Sequence, residues 1–162
     1  MRLLARVGTA IAGTVLAAAA VSISSTGVAN ADTVVEDPSS YLVGDTVYFS
    51  YGNMANCAIR PNGDVGCDIT SGTMNWNGFQ VGNISIDLPF LPAHPAFGPL
   101  GQHGRPGSLQ LSGGRPAPGT AYGSDASITY AGVTCVGSGF RAEVSCSSKG
   151  HSFSFGFTSG YN

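Results

Sequence analysis

The sequence predicts an all-β fold, a small antiparallel sandwich or barrel stapled by two local disulfides. Three observations lead to this prediction. Ser152-Phe-Ser-Phe-Gly-Phe157 alternates aromatic and small residues, which is the period of a half-buried strand. Turn dipeptides recur at Asn77-Gly78 and Lys149-Gly150. No window beyond residue 31 shows the apolar period of 3.6 residues that an amphipathic helix needs.

The composition limits the partners that this protein can have. The chain of 162 residues holds seven Lys or Arg and nine Asp or Glu, a formal net charge of −2. A nucleic-acid-binding domain needs a basic face for the phosphates, so we expect no nucleic acid partner. The length fits one domain, and no stretch after residue 31 is long and apolar enough to cross a bilayer.

Residues 1–31 have the organisation of a secretory signal peptide. Two arginines within the first six residues precede a long uncharged apolar run, and Ala29-Asn30-Ala31 has the A-x-A form that signal peptidase accepts. We therefore predict cleavage between Ala31 and Asp32, which leaves a single secreted β domain of residues 32–162. The alternative is an uncleaved membrane anchor, which the Ala-rich run and the cleavage site disfavour.

The four cysteines lie after this leader in C-x9-C and C-x10-C spacings. An even count in an exported chain favours disulfides over zinc, whose paired cysteine ligands stand closer, as in C-x2-C. We expect two local pairs, Cys57–Cys67 and Cys135–Cys146.

Turn chemistry sets the register of the first pair. Arg60-Pro-Asn-Gly63 suits a type I turn followed by a glycine of positive φ, which gives a three-residue hairpin loop. Ile59 then faces Val65. In that register Cys57 and Cys67 face each other at a non-hydrogen-bonded pair, where side chains approach most closely.

The second pair is predicted on weaker grounds. Gly137-Ser138-Gly139 marks a turn, and directly opposed cysteines require a four-residue loop from Gly139 to Ala142. The two cysteine segments resemble each other loosely. Both an internal duplication and two independently stapled hairpins are consistent with that resemblance.

Other strands are predicted from β-forming and apolar residues. Thr46 to Ser50 is rich in β-formers. The apolar residues change parity at Gly82-Asn83 and at Ala131-Gly132, and we interpret both changes as bulges that re-phase a strand. Three aromatic residues near the end of the chain are predicted to share one core face: Phe153, Phe155 and Phe157.

Residues 89–118 do not fit the strand pattern, because they hold seven of the nine prolines. Proline lacks the backbone N–H, so we predict a Pro/Gly-rich loop region with Ser108–Ser112 as an edge strand. The loop, which contains His94 and His103, is either a binding element or a surface crossover. We favour the crossover, with three apolar anchors: Phe90, Leu91 and Phe97.

Four short stretches carry a resemblance to a known group of proteins. They run from Tyr51 to Cys57, from Gly66 to Ile69, from Gly132 to Cys135, and from Cys146 to Phe153. The chain resembles small exported, disulfide-containing actinobacterial proteins of unknown function. This resemblance implies export and disulfide pairing and implies no activity. The Pro-rich middle of the chain departs from the pattern.

Catalytic motifs are weak in this sequence. Gly150-His-Ser152 lacks the second glycine of a nucleophile elbow and lies in a strand-like repeat. His151 is interpreted as a polar residue at the rim of a strand, and Trp76 as a half-buried residue at a strand end rather than a platform for a sugar. We expect no catalytic residue, no cofactor and no metal site.

Two classes of function follow from the sequence. The first is a secreted or cell-envelope-associated, non-catalytic β module that binds a protein or envelope component or has a structural role. The alternative is a small secreted hydrolase that uses carboxylates, or an enzyme inhibitor that inserts the Pro-rich segment. A concave cluster of acids with shifted pKa values would favour the enzyme, and an exposed aromatic or Pro-rich patch would favour the binder.

Overall fold

The computed structural model describes residues 33–96, 103–105, 108–111, 125–139 and 142–162. The predicted leader, its cleavage site at Ala31 and Asp32, and the predicted anchor Phe97 lie outside these residues. Within the described ranges, no helix has the length and apolar character needed to cross a membrane.

The described residues form two six-stranded sheets and a two-stranded one. The first sheet has the strand order β1-β10-β11-β12-β13-β14. Its strands are β1 (Val34–Glu36), β10 (Ala126–Tyr130), β11 (Val133–Ser138), β12 (Glu143–Ser148), β13 (His151–Gly156) and β14 (Gly160–Tyr161). All its pairings are antiparallel except that of β1 with β10.

The second sheet has the order β2-β3-β4-β5-β8, with β9 parallel to β3. Its strands are β2 (Leu42–Val43), β3 (Thr46–Tyr51), β4 (Ala55–Ile59), β5 (Val65–Ile69), β8 (Asn83–Ile86) and β9 (Leu109–Gln110). A 3-10 turn, Pro38–Tyr41, precedes β2, and the two-stranded sheet joins β6 (Met74–Trp76) to β7 (Phe79–Val81).

The inner faces of the two large sheets share one buried core, so the all-β prediction is confirmed as a sandwich. In β11, and over most of β12, buried residues alternate with more exposed ones, as the period of a half-buried strand requires. In β3, Val47, Phe49 and Tyr51 are fully buried. In β13, Phe153 and Phe155 are almost fully buried.

Both disulfide predictions are confirmed. Cys57 bonds Cys67 and Cys135 bonds Cys146, each across directly opposed residues of a hairpin with a Cα–Cα distance of 4.1 Å. Gly63 has a φ of 81° and donates its N–H to the carbonyl of Arg60, as the three-residue loop requires.

The turns between consecutive strands follow the dipeptides of the sequence. At Asn77-Gly78 and Lys149-Gly150 both residues have positive φ, which is the type I′ geometry of two-residue hairpins. Ala131-Gly132 has the same geometry and joins β10 to β11. The prediction of a bulge at Ala131-Gly132 is therefore wrong, because the parity change marks a hairpin.

The bulge predicted at Gly82-Asn83 is also corrected. Val81 ends the two-stranded sheet, and Asn83 begins β8 of the second sheet. The chain passes from one sheet to the next at Gly82, so the apolar residues change face without any bulge.

Phe157 does not reach the core, and its side chain is 83% exposed. Gly156 has a φ of 131° and ends β13, which breaks the alternation that Phe153 and Phe155 follow. A side chain at Gly156 would lie 2.0 Å from the carbonyl oxygen of Ala142, so only glycine fits at this position.

The described part of the Pro-rich segment crosses the outer face of the second sheet. The main chain of His94 pairs with Ser85 of β8, and Leu111 donates its N–H to Ser50 of β3. The predicted crossover is therefore present, and its edge strand is Leu109–Gln110. Two of the predicted anchors are wrong, because Phe90 and Leu91 are exposed. Three smaller or polar residues are buried instead: Ala93, His103 and Leu111.

Candidate binding cleft

A short piece of the crossover, His103-Gly104-Arg105, lies on the outer face of the second sheet. We call it the divider. The backbone N–H groups of His103 and Gly104 both donate to Oδ2 of Asp68 on β5, at 2.8 and 2.6 Å. Asp68 faces outward because the strand alternates and Cys67 faces the core. One carboxylate thus holds the divider against the sheet.

Two glycines allow this close approach. A Cβ on Gly66 would lie 2.2 Å from Cε1 of His103, so the imidazole ring fills the place of a side chain at position 66. A Cβ on Gly104 would lie 2.8 Å from Cβ of Asn56 on β4. Gly66 therefore leaves room for the ring of His103, and Gly104 leaves room for the side chain of Asn56.

The divider forms one wall of an open cleft of about 910 Å³. The side chains that line it carry amides, hydroxyls, one carboxylate and one guanidinium, and none of the described lining side chains is apolar. They come from Ser50, Gly52, Asn53, Asn56, Asp68, Thr70, Gly82, Gly104, Arg105, Ser108 and Gln110.

Contacts with the sheet position the polar groups of the cleft. The guanidinium of Arg105 lies over the ring of Tyr48, with its central carbon 5.7 Å from the ring centre, a cation–π contact. Gln110 accepts the backbone N–H of Gly52 at 2.8 Å through its side-chain oxygen. None of the described carboxylates forms an ion pair with Arg105, which lines the cleft and also a smaller hollow beside Tyr48.

The other side of the divider faces a smaller pocket of about 280 Å³, which we call the histidine pocket. His103 and His94 both line it, together with two carboxylates. Asp64 forms an ion pair with Lys149. Oδ1 of Asp87 lies 3.0 Å from Nε2 of His94, within hydrogen-bonding distance. Each of these two carboxylates therefore contacts a basic side chain.

His103 is the buried group of the site, with 8% of its surface exposed. Burial lowers the pKa of its imidazole, and the nearby carboxylate of Asp68 opposes that shift in part. Nε2 of His103 has no hydrogen-bond partner among the described residues. The ring is accordingly neutral at neutral pH, and it is held by packing against Gly66 and by the backbone contacts to Asp68.

The residues that the sequence singled out lie elsewhere. Nε2 of His151 is 3.2 Å from the carbonyl oxygen of Pro89, and His151 lines neither the cleft nor the histidine pocket. Trp76, at the end of β6, donates its indole N–H to the carbonyl of Ala93 at 3.1 Å. Both side chains bind backbone oxygens of the crossover.

Sequence reasoning missed Asp68 and Arg105, and it noted His103 without giving it a role. One signal was present. Gly66 is an isolated glycine within a strand, which often marks the close approach of another segment. The sequence does not show which segment approaches it.

Comparisons with protein families, with curated proteins and with solved structures find no match to this chain. Among the described residues, no three His, Cys, Asp or Glu side chains are grouped so that they could hold a metal ion.

Proposed function

We propose that this chain is an exported, non-catalytic β module that binds a neutral, polyhydroxylated ligand in the cleft, a saccharide of the cell envelope or its surroundings. The observation that carries this proposal is the lining of the 910 Å³ cleft, in which every described side chain is polar or absent.

The chemistry of the lining favours a saccharide. Sugar hydroxyls both donate and accept hydrogen bonds, and the amides of Asn53 and Asn56 can do the same, while Asp68 accepts and Arg105 donates. One acid and one base leave the described lining without net charge. A peptide with apolar side chains would find no apolar subsite among these residues.

The alternatives receive less support from the geometry. A hydrolase that uses two carboxylates needs both beside the scissile bond. Asp68 is the single carboxylate among the described lining residues of the cleft, and it already accepts two backbone N–H groups. For an inhibitor that inserts the Pro-rich segment, the described part of that segment gives no support, because His94 and Leu111 are hydrogen-bonded to the sheet.

Export is part of the proposal. Two disulfides that close local hairpins suit an oxidising compartment. The leader-like residues 1–31 and the resemblance to exported actinobacterial proteins point the same way. Intact-mass analysis of culture supernatant is expected to give a chain that begins at Asp32. Recovery of only the full-length chain from membranes would overturn both the cleavage and the export.

Binding is tested with the purified protein and a panel of soluble oligosaccharides, by calorimetry or by NMR titration. Arg105→Gln should weaken binding by about tenfold, because a hydrogen bond from a charged donor is lost. Arg60→Gln, which changes an arginine outside the cleft lining, is the matched control and should leave the affinity unchanged. Binding to no member of the panel, or equal effects of the two substitutions, would contradict the saccharide proposal.

The non-catalytic part of the proposal has its own test. The protein should not turn over ester, glycoside or peptidoglycan substrates, and His151→Ala should change either folding or nothing. Turnover that disappears in His151→Ala while circular dichroism and melting temperature stay unchanged would show that the protein is an enzyme.

A further inference from the structure

We propose that the divider is an acid-sensitive latch, in which protonation of His103 releases His103-Gly104-Arg105 from the second sheet and joins the cleft to the histidine pocket. As a regulator of ligand binding, the latch rests on the proposed function of the cleft. As a conformational change, it can be tested without any ligand.

The position of the divider makes such a change possible. His103 lines the histidine pocket, whereas Gly104 and Arg105 line the cleft, so these three residues separate the two spaces. Their described hydrogen bonds to the sheet are the two backbone bonds to Asp68. Displacing this piece of chain removes one wall of each space.

Protonation of the His103 imidazole destabilises the closed state. A protonated imidazole has two N–H donors, and each needs an acceptor when it is buried. Nε2 is buried and has no partner in the described part of the chain, and the ring edge that carries both nitrogens faces the backbone at Gly66. Protonation in place would therefore bury a charge with an unsatisfied donor, and release of the divider would expose it to water.

The charged groups around His103 do not remove this penalty. On β5, Asp68 attracts a proton to His103, but its Oδ2 is already bonded by two backbone N–H groups. Arg60, at the end of β4, repels a second cation. Asp87, which follows β8, also attracts a proton to His103, and its Oδ1 lies 3.0 Å from Nε2 of His94.

Three further groups belong to the same surroundings. Asp64 lines the histidine pocket and forms an ion pair with Lys149 of the turn after β12. Arg105 is a cation two residues from His103 in the divider itself. Asp68 and Asp87 favour the protonated imidazole, but burial together with Arg60 outweighs them, so the neutral imidazole is favoured in the closed state.

The direction of the pH effect follows from linkage. Burial holds the pKa of His103 below 6.5 in the closed state, and release into water returns it to about 6.5. The open state binds more protons, so the ratio of closed to open molecules is highest above pH 6.5 and decreases as the pH falls below it. The ratio of closed to open molecules can fall by up to about tenfold for each pH unit in that range.

Amide hydrogen exchange measures the latch directly. The N–H groups of His103 and Gly104 are protected only while they bond to Asp68. After correction for the intrinsic exchange rate, their protection should fall between pH 7.5 and 5.5, by up to about tenfold for each unit below 6.5. The N–H of Cys67, in the adjacent disulfide hairpin, should keep its protection over the same range.

Two substitutions give opposite expectations. His103→Phe keeps a ring over Gly66 but cannot be protonated, so the protection at Gly104 should not depend on pH. Gly66→Ala places a methyl group where the imidazole lies, so the protection at His103 and Gly104 should be low at both pH values. If His103→Phe does not fold, His103→Gln and Gly66→Ala together provide the same comparison.

The latch is wrong if the parent protein keeps constant protection from pH 7.5 to 5.5, or if the uncharged variant at position 103 shows the same loss as the parent. Neither result depends on a ligand. Constant protection would leave saccharide binding at neutral pH unaffected, and failure of every saccharide to bind would leave a measured change of protection in place.

Discussion

The ring of Tyr51, in β3 of the second sheet, occupies the space that a side chain at Gly137, in β11 of the first sheet, would fill. A Cβ on Gly137 would lie 2.3 Å from Cε2 of that ring. The two sheets therefore meet at a position where one supplies a large aromatic side chain and the other supplies none.

Gly137→Ala should destabilise the protein by about 1–3 kcal/mol, because the added methyl group overpacks the core against a fully buried ring. Gly82→Ala is the matched control, since a Cβ at Gly82 would have no atom within 4 Å. Denaturant unfolding measures both. Equal stability of the two variants would show that the ring of Tyr51 can move aside.

Tyr51→Phe should leave stability unchanged or raise it, because the hydroxyl of Tyr51 is buried and has no hydrogen-bond partner within the ranges that the structure describes. Burial, with a contribution from Asp125, raises the pKa of Tyr51 to about 12. The folded state holds the phenolic proton more tightly than the unfolded state, where the pKa is about 10.

Between pH 10 and about 12 the unfolded state loses the phenolic proton while the folded state keeps it, so the free energy of unfolding falls as the pH rises through this range. Tyr51→Phe should reduce the loss of stability in that range, as measured by short unfolding experiments at pH 9, 10 and 11. A parallel loss in parent and variant would assign the alkaline effect to other groups.

The local features of the fold could be predicted because they depend on a few neighbouring residues. The loop Arg60 to Gly63 and the turn Lys149-Gly150 are determined by proline, glycine and spacing, and the opposed cysteines follow from the same register. Phe157 shows the limit of this reasoning. Its position in the alternation predicts burial, but the positive φ of Gly156 turns the chain away first.

The parity changes show why sheet membership could not be predicted. A bulge, a hairpin and a passage between sheets all shift the face of the next apolar residue. The sequence around Gly82 and Gly132 is compatible with each of them. The long-range pairing partners decide between them, and these are not encoded in the local pattern.

The cleft was missed for a related reason. Its walls come from strands of the second sheet and from a crossover that lies more than 30 residues away in sequence from Asp68. No spacing rule joins Asp68 to Arg105. Single polar residues in a strand and in a loop give no signal until the fold brings them together.

The two disulfides have equivalent places in the two sheets. Each joins the two central strands of four neighbouring antiparallel strands, with Phe49 and Ile84 beside Cys57–Cys67, and Ile128 and Phe153 beside Cys135–Cys146. This placement is what an internal duplication would produce. Two hairpins that acquired their disulfides independently would show the same placement.

Because their closed loops are nearly equal in length, with sequence separations of 10 and 11, the two disulfides should contribute similarly. Replacing either pair by alanines should cost about 2–3 kcal/mol on the chain-entropy account. Denaturant unfolding of the two double variants tests this. A loss confined to one pair would show that native-state packing, rather than loop closure, determines the contribution of the disulfides.

A buried ion pair links the turns of the two sheets. Lys149, in the β12–β13 turn, bonds Asp64 beside the β4–β5 loop, and its Nζ also donates to the carbonyl of Asp87 at 2.7 Å. The neighbouring Ser148 donates its hydroxyl to the carbonyl of Gly63 at 2.6 Å. Both ionic side chains are about four-fifths buried or more.

Lys149→Met should therefore destabilise the protein by about 1–3 kcal/mol, because it leaves the largely buried carboxylate of Asp64 without its nearest cation. The double variant Asp64→Asn/Lys149→Met should lose less than the sum of the single losses, since no unpaired charge remains. Arg60→Met is the control, because Arg60 is half exposed and 4.0 Å from Asp64, and its loss should stay below about 1 kcal/mol. Additive losses for Asp64 and Lys149, measured by denaturant unfolding, would mean that the contact does not couple the two sheets.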